Sequence, residues 1–216
     1  MNNIVERFEK INSNIQKLNS KKKVNIIAVS KTFSIDKIKP LIDYGHNHFG
    51  ENKVQEAAGK WTSVKRLNPD IKLHMVGKLQ SNKAKNAADL FDYIHSLDNQ
   101  KLADIFSKYE KNSSKKLKYF IQVNIGNEIQ KSGIPINELD AFFNYCSKER
   151  HLNILGLMVI PPNDEKTRKY FEISRDLNLS LGLKDLSMGM SSDYQVAAKH
   201  KSTYLRIGSG ILGPRA

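Results

Sequence analysis

The sequence predicts a single (β/α)8 barrel. Three features point to it: eight short apolar runs, helical spacing in the segments between them, and a length of 216 residues. Parallel strands buried on both faces read as near-continuous apolar runs rather than alternating ones. Strands separated by helix-period segments are the pattern of βαβ units and a parallel sheet. A barrel of this kind fits the length as one domain. An open, doubly wound sheet uses the same ingredients and is the alternative architecture.

Taken in order, the first element is a helix over Ile4–Leu18, with Ile4, Phe8, Ile11, Ile15 and Leu18 on one face. Residues 1–20 thus read as a helical segment packed on the barrel, and residues 1–216 as one domain. The strand candidates are Val24–Val29, His46–Phe49, Ile71–Val76, Tyr93–Ser96, Tyr119–Val123, Ile154–Val159, Asp185–Met188 and Tyr204–Ile207. Helical spacing joins Ile35, Ile38, Leu41 and Ile42, then Leu139, Phe142, Phe143 and Cys146, then Phe171, Ile173 and Leu177. The polar stretch Lys108–Lys118 reads as a helix end followed by a surface loop.

Composition excludes several functions. No run of about 18 apolar residues is present, so no membrane span is expected. Glu6 and Glu9 interrupt the first ten residues, which therefore lack the apolar core of a secretion signal. The lone cysteine, Cys146, allows no internal disulfide and fits a reducing, cytoplasmic location. The net charge of +13 invites a nucleic-acid reading. The lysines are scattered, however, with short clusters only at Lys21-Lys22-Lys23 and Lys115-Lys116, and no recognition motif accompanies them. A diffuse positive field gives weak, salt-sensitive binding, so no specific nucleic-acid role is expected.

In a parallel barrel or sheet, functional groups sit at the C-terminal ends of the strands. The first strand ends in Val29-Ser30-Lys31-Thr32. A lysine there aims its amine into the mouth, where lost hydration favours the neutral, nucleophilic form. By position alone the commoner reading is a lysine snorkelling to solvent, and its partners are what make it a candidate. Partners lie near the other end: Met188-Gly189-Met190-Ser191-Ser192-Asp193 after strand seven, and Arg206 before Gly208-Ser209-Gly210 after strand eight. Loops after strands seven and eight commonly bind phosphate, and small residues let backbone N–H groups approach an anion. Ser192-x-x-Gln195 also reads as a capping box for the following helix, and the glycines as tight turns. Asn52, in Phe49-Gly50-Glu51-Asn52-Lys53, reaches the mouth or caps a helix. His46 and His48, two apart, share a strand face, but no third ligand at sensible spacing supports a metal. His74 and His95 read as satisfied core histidines.

Together these segments resemble the PLP homeostasis proteins, the YggS/PROSC-type family of pyridoxal phosphate-binding proteins. The resemblance runs from about Val24 to Arg215. It is carried by Ala28-Val29-Ser30-Lys31-Thr32, Phe49-Gly50-Glu51-Asn52-Lys53-Val54-Gln55-Glu56, His74 to Lys83, Ile94 to Asp98, Gln122 to Ile125 with Lys131-Ser132-Gly133, Gly156-Leu157-Met158, Leu186 to Ser191 and Ser202 to Gly208. It implies a fold like the barrel domain of alanine racemase (PLP fold type III) without that enzyme's second, β domain. It also implies pyridoxal 5′-phosphate (PLP) as cofactor, held as a Schiff base on Lys31. Arg206 would then face the pyridine nitrogen, Ser191, Ser192, Gly208 and Ser209 would surround the phosphate, and Asn52 would lie beside the ring. Gln195 stands where the family usually has Glu, and Lys201 where it usually has Gly.

The resemblance implies a role in vitamin B6 and amino-acid balance, with PLP as the ligand and apo PLP-dependent enzymes as recipients. A racemase-like enzyme is the alternative, and a basic nucleic-acid binder a more distant one. Racemisation needs bases on both faces of the ring, and Lys31 supplies one. An arginine at the ring nitrogen weakens the electron sink that most PLP enzymes exploit. Handling of the cofactor by a monomer or weak dimer is therefore the expectation, with no catalytic residue assigned.

Overall fold

The structure, a computed structural model, describes residues 3–18, 23–162 and 164–214. Eight parallel strands close in sequence order: β1 (Asn25–Val29), β2 (His48–Glu51), β3 (Lys72–Met75), β4 (Tyr93–Leu97), β5 (Lys118–Val123), β6 (Ile154–Val159), β7 (Asp185–Ser187) and β8 (Tyr204–Ile207). The closure is direct: Ile27 pairs with Arg206 and Ala28 with Ile207 across the β1–β8 seam. This is the expected barrel, and the open sheet is excluded.

Helices α1 (Asn3–Leu18), α2 (Ile35–Asp43), α3 (Val54–Leu67), α4 (Ala84–Leu90), α5 (Gln100–Lys111), α6 (Leu139–Asn144), α7 (Thr167–Ser180), α8 (Tyr194–Lys199) and α9 (Ser209–Leu212) surround the strands. Outward strand residues such as Phe49, Leu73 and Leu157 meet helix residues such as Trp61, Ala87 and Phe171 in one continuous shell, all fully buried. Burial of each large side chain contributes roughly 1.5–3 kcal/mol. Inside the barrel, Ile27, Tyr93, Phe120, Met158 and Tyr204 form a separate apolar cluster. Cys146 is buried, and that burial pushes its thiol up to about 12, so it is not a reactive nucleophile.

α1 buries Ile4, Val5, Phe8, Ile11 and Ile15, whereas Leu18, expected on the same face, is 36% exposed. Arg7 Nε of α1 donates to Ile211 O at 2.7 Å and Asn14 Nδ2 to Tyr194 OH at 3.2 Å, which fixes α1 against α9 and α8. Asn19, Ser20, Lys21 and Lys22, parts of the expected N-terminal segment and lysine cluster, lie outside the described residues, as does Arg215.

Two local expectations need correction. β2 begins at His48 and runs through Gly50 and Glu51, so His46 precedes the strand and does not share a strand face with His48. Its ring packs on Phe8 of α1 at 4.7 Å, while its Nε2 lies 2.8 Å from His48 O. The capping box at Ser192 does not form: Asp193 is the N-cap of α8 and makes no side-chain cap bond, its Oδ1 instead accepting from Met190 N. Asn52 is no cap either, since α3 is preceded by Lys53.

Candidate functional site

β1, β2, β7 and β8 deliver their C-terminal loops to one pocket of about 330 Å³. Lys31, Asn52, Ser191, Ser192, Arg206, Gly208 and Ser209 all line it, with Val29, Val76 and Ile160 as apolar walls. The volume lies in the ~300–1,000 Å³ range of small-molecule sites. A neighbouring pocket of about 300 Å³ shares Asn52, Val76 and Ile160 and adds Lys78, Gln122 and Lys131.

Each residue is placed by its strand. Lys31 follows β1 in a turn in which Thr32 takes a left-handed conformation, φ 68°. That turn is held from behind: Thr32 N donates to Glu56 Oε1 at 2.6 Å, Ser30 Oγ to Glu51 Oε1 at 2.7 Å, and Lys60 Nζ to Ser30 O at 2.8 Å. Asn52 follows β2, and the loop after β3 passes so close that Gly77 has no room for a side chain. A Cβ there would lie 2.5 Å from Asn52 O.

The loops after β7 and β8 are tied together. Ser191 Oγ accepts from Gly210 N at 3.0 Å, and Arg206 N donates to Gly189 O at 2.9 Å. Gly189 itself has φ 95° and packs on Ala197, so the turn requires glycine twice over. The result is a mouth rimmed by the hydroxyls of Ser191, Ser192 and Ser209, the donor set expected around an oxyanion.

Arg206 is the deepest group. It is only 4% exposed, which excludes a surface arginine packed on Tyr204 or Ile207. Nη1 donates to Ser187 Oγ at 2.7 Å and Nη2 to Val159 O at 2.8 Å. Two of the five N–H donors of a guanidinium are thereby engaged. Burial lowers its pKa to about 10, partly offset by Asp193, so it remains a cation at neutral pH.

Sequence reasoning missed what lies behind Arg206. His48 Nδ1 is 2.8 Å from His74 Nε2, His74 Nδ1 is 2.9 Å from His95 Nε2, and His95 Nδ1 is 2.9 Å from Ser187 Oγ. His74 and His95 are fully buried and satisfied, as expected, but by each other. Burial holds all three rings below the usual histidine value, His48 at about 4, and the Arg206 cation lowers His95 further. The signal was available as one histidine in each of three successive strands. Among the described residues, no group of three or more His, Cys, Asp or Glu is arranged to hold a metal. No helix among them is long and apolar enough to cross a membrane.

Comparison with known proteins places this chain in a family. The sequence model described as "Alanine racemase, N-terminal domain" matches residues 7–216. A pyridoxal phosphate homeostasis protein of Aquifex aeolicus is 34% identical, over 99% of both chains. Another from Escherichia coli K12 is 35% identical, over 91% of this chain and 88% of the relative. Among solved structures, PipY of Synechococcus elongatus PCC7942 is 34% identical and covers 97% of this chain and 100% of its own. The TM-score is 0.89 for PipY without PLP and 0.87 for PipY with PLP bound. Alanine racemase of Clostridium difficile 630, 13% identical with a TM-score of 0.69, shares the fold over 56% of its own chain. The chain belongs to the alanine racemase N-terminal domain family and, within it, to the pyridoxal phosphate homeostasis proteins.

Proposed function

We propose that this protein binds pyridoxal 5′-phosphate as a Schiff base on Lys31 and holds it for intracellular PLP homeostasis. The observation that carries this reading is convergence: Lys31, Asn52, Ser191, Ser192, Arg206, Gly208 and Ser209 line one pocket. Two facts about relatives support it: homologues are named for pyridoxal phosphate homeostasis, and one PipY structure is described with PLP bound.

The residues fit the ligand's chemistry. PLP supplies an aldehyde that condenses with an amine, releasing water, and Lys31 is the amine at the pocket rim. The three serine hydroxyls and the backbone at Gly208–Ser209 match a phosphate. Asn52 and the apolar walls flank the ring. Arg206 can only donate, so a ring nitrogen facing it must accept and stay unprotonated. A neutral ring stabilises carbanions poorly, which suits a carrier that leaves amino acids unconsumed. We assign apo PLP-dependent enzymes as recipients, the cytoplasm as location, and a monomer or weak dimer as the working form.

The test is chemical. Borohydride treatment of the PLP-loaded protein should fix a pyridoxyl group on Lys31, read by peptide mapping. Lys31→Ala should lose the yellow band while keeping its fold. A principal adduct on another lysine, such as Lys131, would remove the attachment. Turnover of L-alanine at about 1 per second or more, within the ordinary enzyme range, would overturn the carrier reading.

A further inference from the structure

The barrel axis carries an unbroken hydrogen-bonded line that starts at half-buried His48 at the beginning of β2. It passes through His74 on β3, His95 on β4 and Ser187 on β7, and ends on Arg206 in the pocket. A neutral imidazole has one N–H and one lone pair, so such a line can point in only two directions.

Ser187 decides between them. Arg206 Nη1 is always a donor and occupies one lone pair of Ser187 Oγ. Ser187 is fully buried, and its other side-chain partner is His95 Nδ1. The hydroxyl proton therefore goes to His95 Nδ1, and the His95 proton sits on Nε2, donating to His74 Nδ1. His74 in turn donates from Nε2 to His48 Nδ1. The opposite direction would leave a buried hydroxyl proton without an acceptor, at a cost of about 1–3 kcal/mol.

Aromatic faces hold the ring planes. Tyr93 stacks on His74 at 4.2 Å and Phe120 on His95 at 4.4 Å, both at 16°. The line cannot pass a proton into the pocket, because its last member is an arginine that keeps its own. What it transmits is polarity.

We propose that His48, His74, His95 and Ser187 form a positioning relay that keeps both Ser187 lone pairs turned away from His95, fixing the Arg206 guanidinium as an oriented donor toward the pocket. That the oriented donor serves a PLP ring nitrogen rests on the function proposed above. The relay itself does not.

The experiment begins on the protein without PLP, labelled with 15N at histidine and arginine. At pH 7.5, long-range proton–nitrogen correlation should find His74 and His95 both protonated on Nε2. The Nδ1–H tautomer at either ring would overturn the direction assigned. The Arg206 side-chain N–H signals should be sharp and slow to exchange in the wild type. They should broaden in His95→Phe, which removes the acceptor, and sharpen again in His95→Gln, whose carbonyl can accept from Ser187. Unchanged Arg206 signals in a folded His95→Phe would overturn the positioning role. If His95→Phe does not fold, His48→Phe set against His48→Gln carries the same comparison from the outer end, and the wild-type tautomers need no variant.

With PLP added, His95→Phe should shift the visible band and release the ligand about fivefold to tenfold faster, with His95→Gln close to wild type. Wild-type band and release in His95→Phe would break the link to the ring. Failure of the wild type to bind PLP, with the Arg206 signals as expected, would reject the proposed function and leave the relay standing.

Discussion

Lys60 Nζ lies 2.9 Å from Glu51 Oε1 and 2.8 Å from Ser30 O, so one ammonium joins a buried carboxylate to the strand end that carries Lys31. Glu51 is fully buried, and the same Oε1 also accepts from Ser30 Oγ and, at 2.8 Å, from Trp61 Nε1. Loss of one partner strands the other's charge in a low-dielectric interior.

Lys60→Met should therefore destabilise by about 3–5 kcal/mol in urea unfolding. Lys60→Met combined with Glu51→Gln should recover part of that loss. Strictly additive effects would show that the two groups are not coupled.

Acid should destabilise the fold earlier than carboxylate protonation alone. His46 and His48 are held near pH 4 and His74 and His95 well below their ordinary value, all chiefly by burial. The unfolded chain takes up protons near pH ~6.5, whereas the folded chain does not until near pH 4 or lower. Stability is thus full above about 6.5 and falls as the pH drops toward 4, by up to about 1.4 kcal/mol per pH unit for each histidine. Urea midpoints at pH 7, 6 and 5 check this, and a flat profile over that range would contradict it.

Gly77→Ala should disturb the pocket without unfolding the barrel. The added Cβ would meet Asn52 O at 2.5 Å and Asn52 Cα at 2.7 Å, both backbone atoms. Overpacking of this kind costs about 1–3 kcal/mol. The expected outcome is a PLP affinity lowered about tenfold with near-native circular dichroism, measured by titration at the visible band.

Lys201→Gly should stabilise. Lys201 has φ 71°, a left-handed conformation that disfavours side chains, just after α8. Glycine there should raise stability by about 0.5–1 kcal/mol, a rise of roughly 1–4 °C in Tm. Lys201→Ala, which keeps the Cβ, should not reproduce it.

The strand runs were legible because parallel strands buried on both faces are apolar throughout: the Ile154–Val159 and Tyr204–Ile207 bounds agree with the structure residue for residue. β2 was misplaced by two residues, because Gly50 and Glu51 look like a turn. Glu51 is a strand residue only because Lys60 and Trp61 satisfy it. The seven residues that share the pocket were legible because each lies near the C-terminal end of a strand or in the loop that follows it. The polar axis was not, since a histidine on a strand carries no sign of its partner. Whether His74 meets His95, a metal or solvent is set by barrel register, which no local pattern encodes. The Ser192 capping box failed for a similar reason: α8 begins one residue later than the motif implies.

The seam between β1 and β8 joins the first strand of the barrel to the last. Lys31 leaves from one side of that seam and Gly208 from the other, so neither can serve the pocket until the ring of strands has shut. A ligand spanning both would act as a clasp on that seam. Such a clasp would slow opening, because the contacts it reinforces are non-local in sequence. Occupancy should therefore be read most sensitively in amide exchange at Asn25–Val29 and Tyr204–Ile207. There the barrel would report, as a lifetime, whether its cargo is aboard.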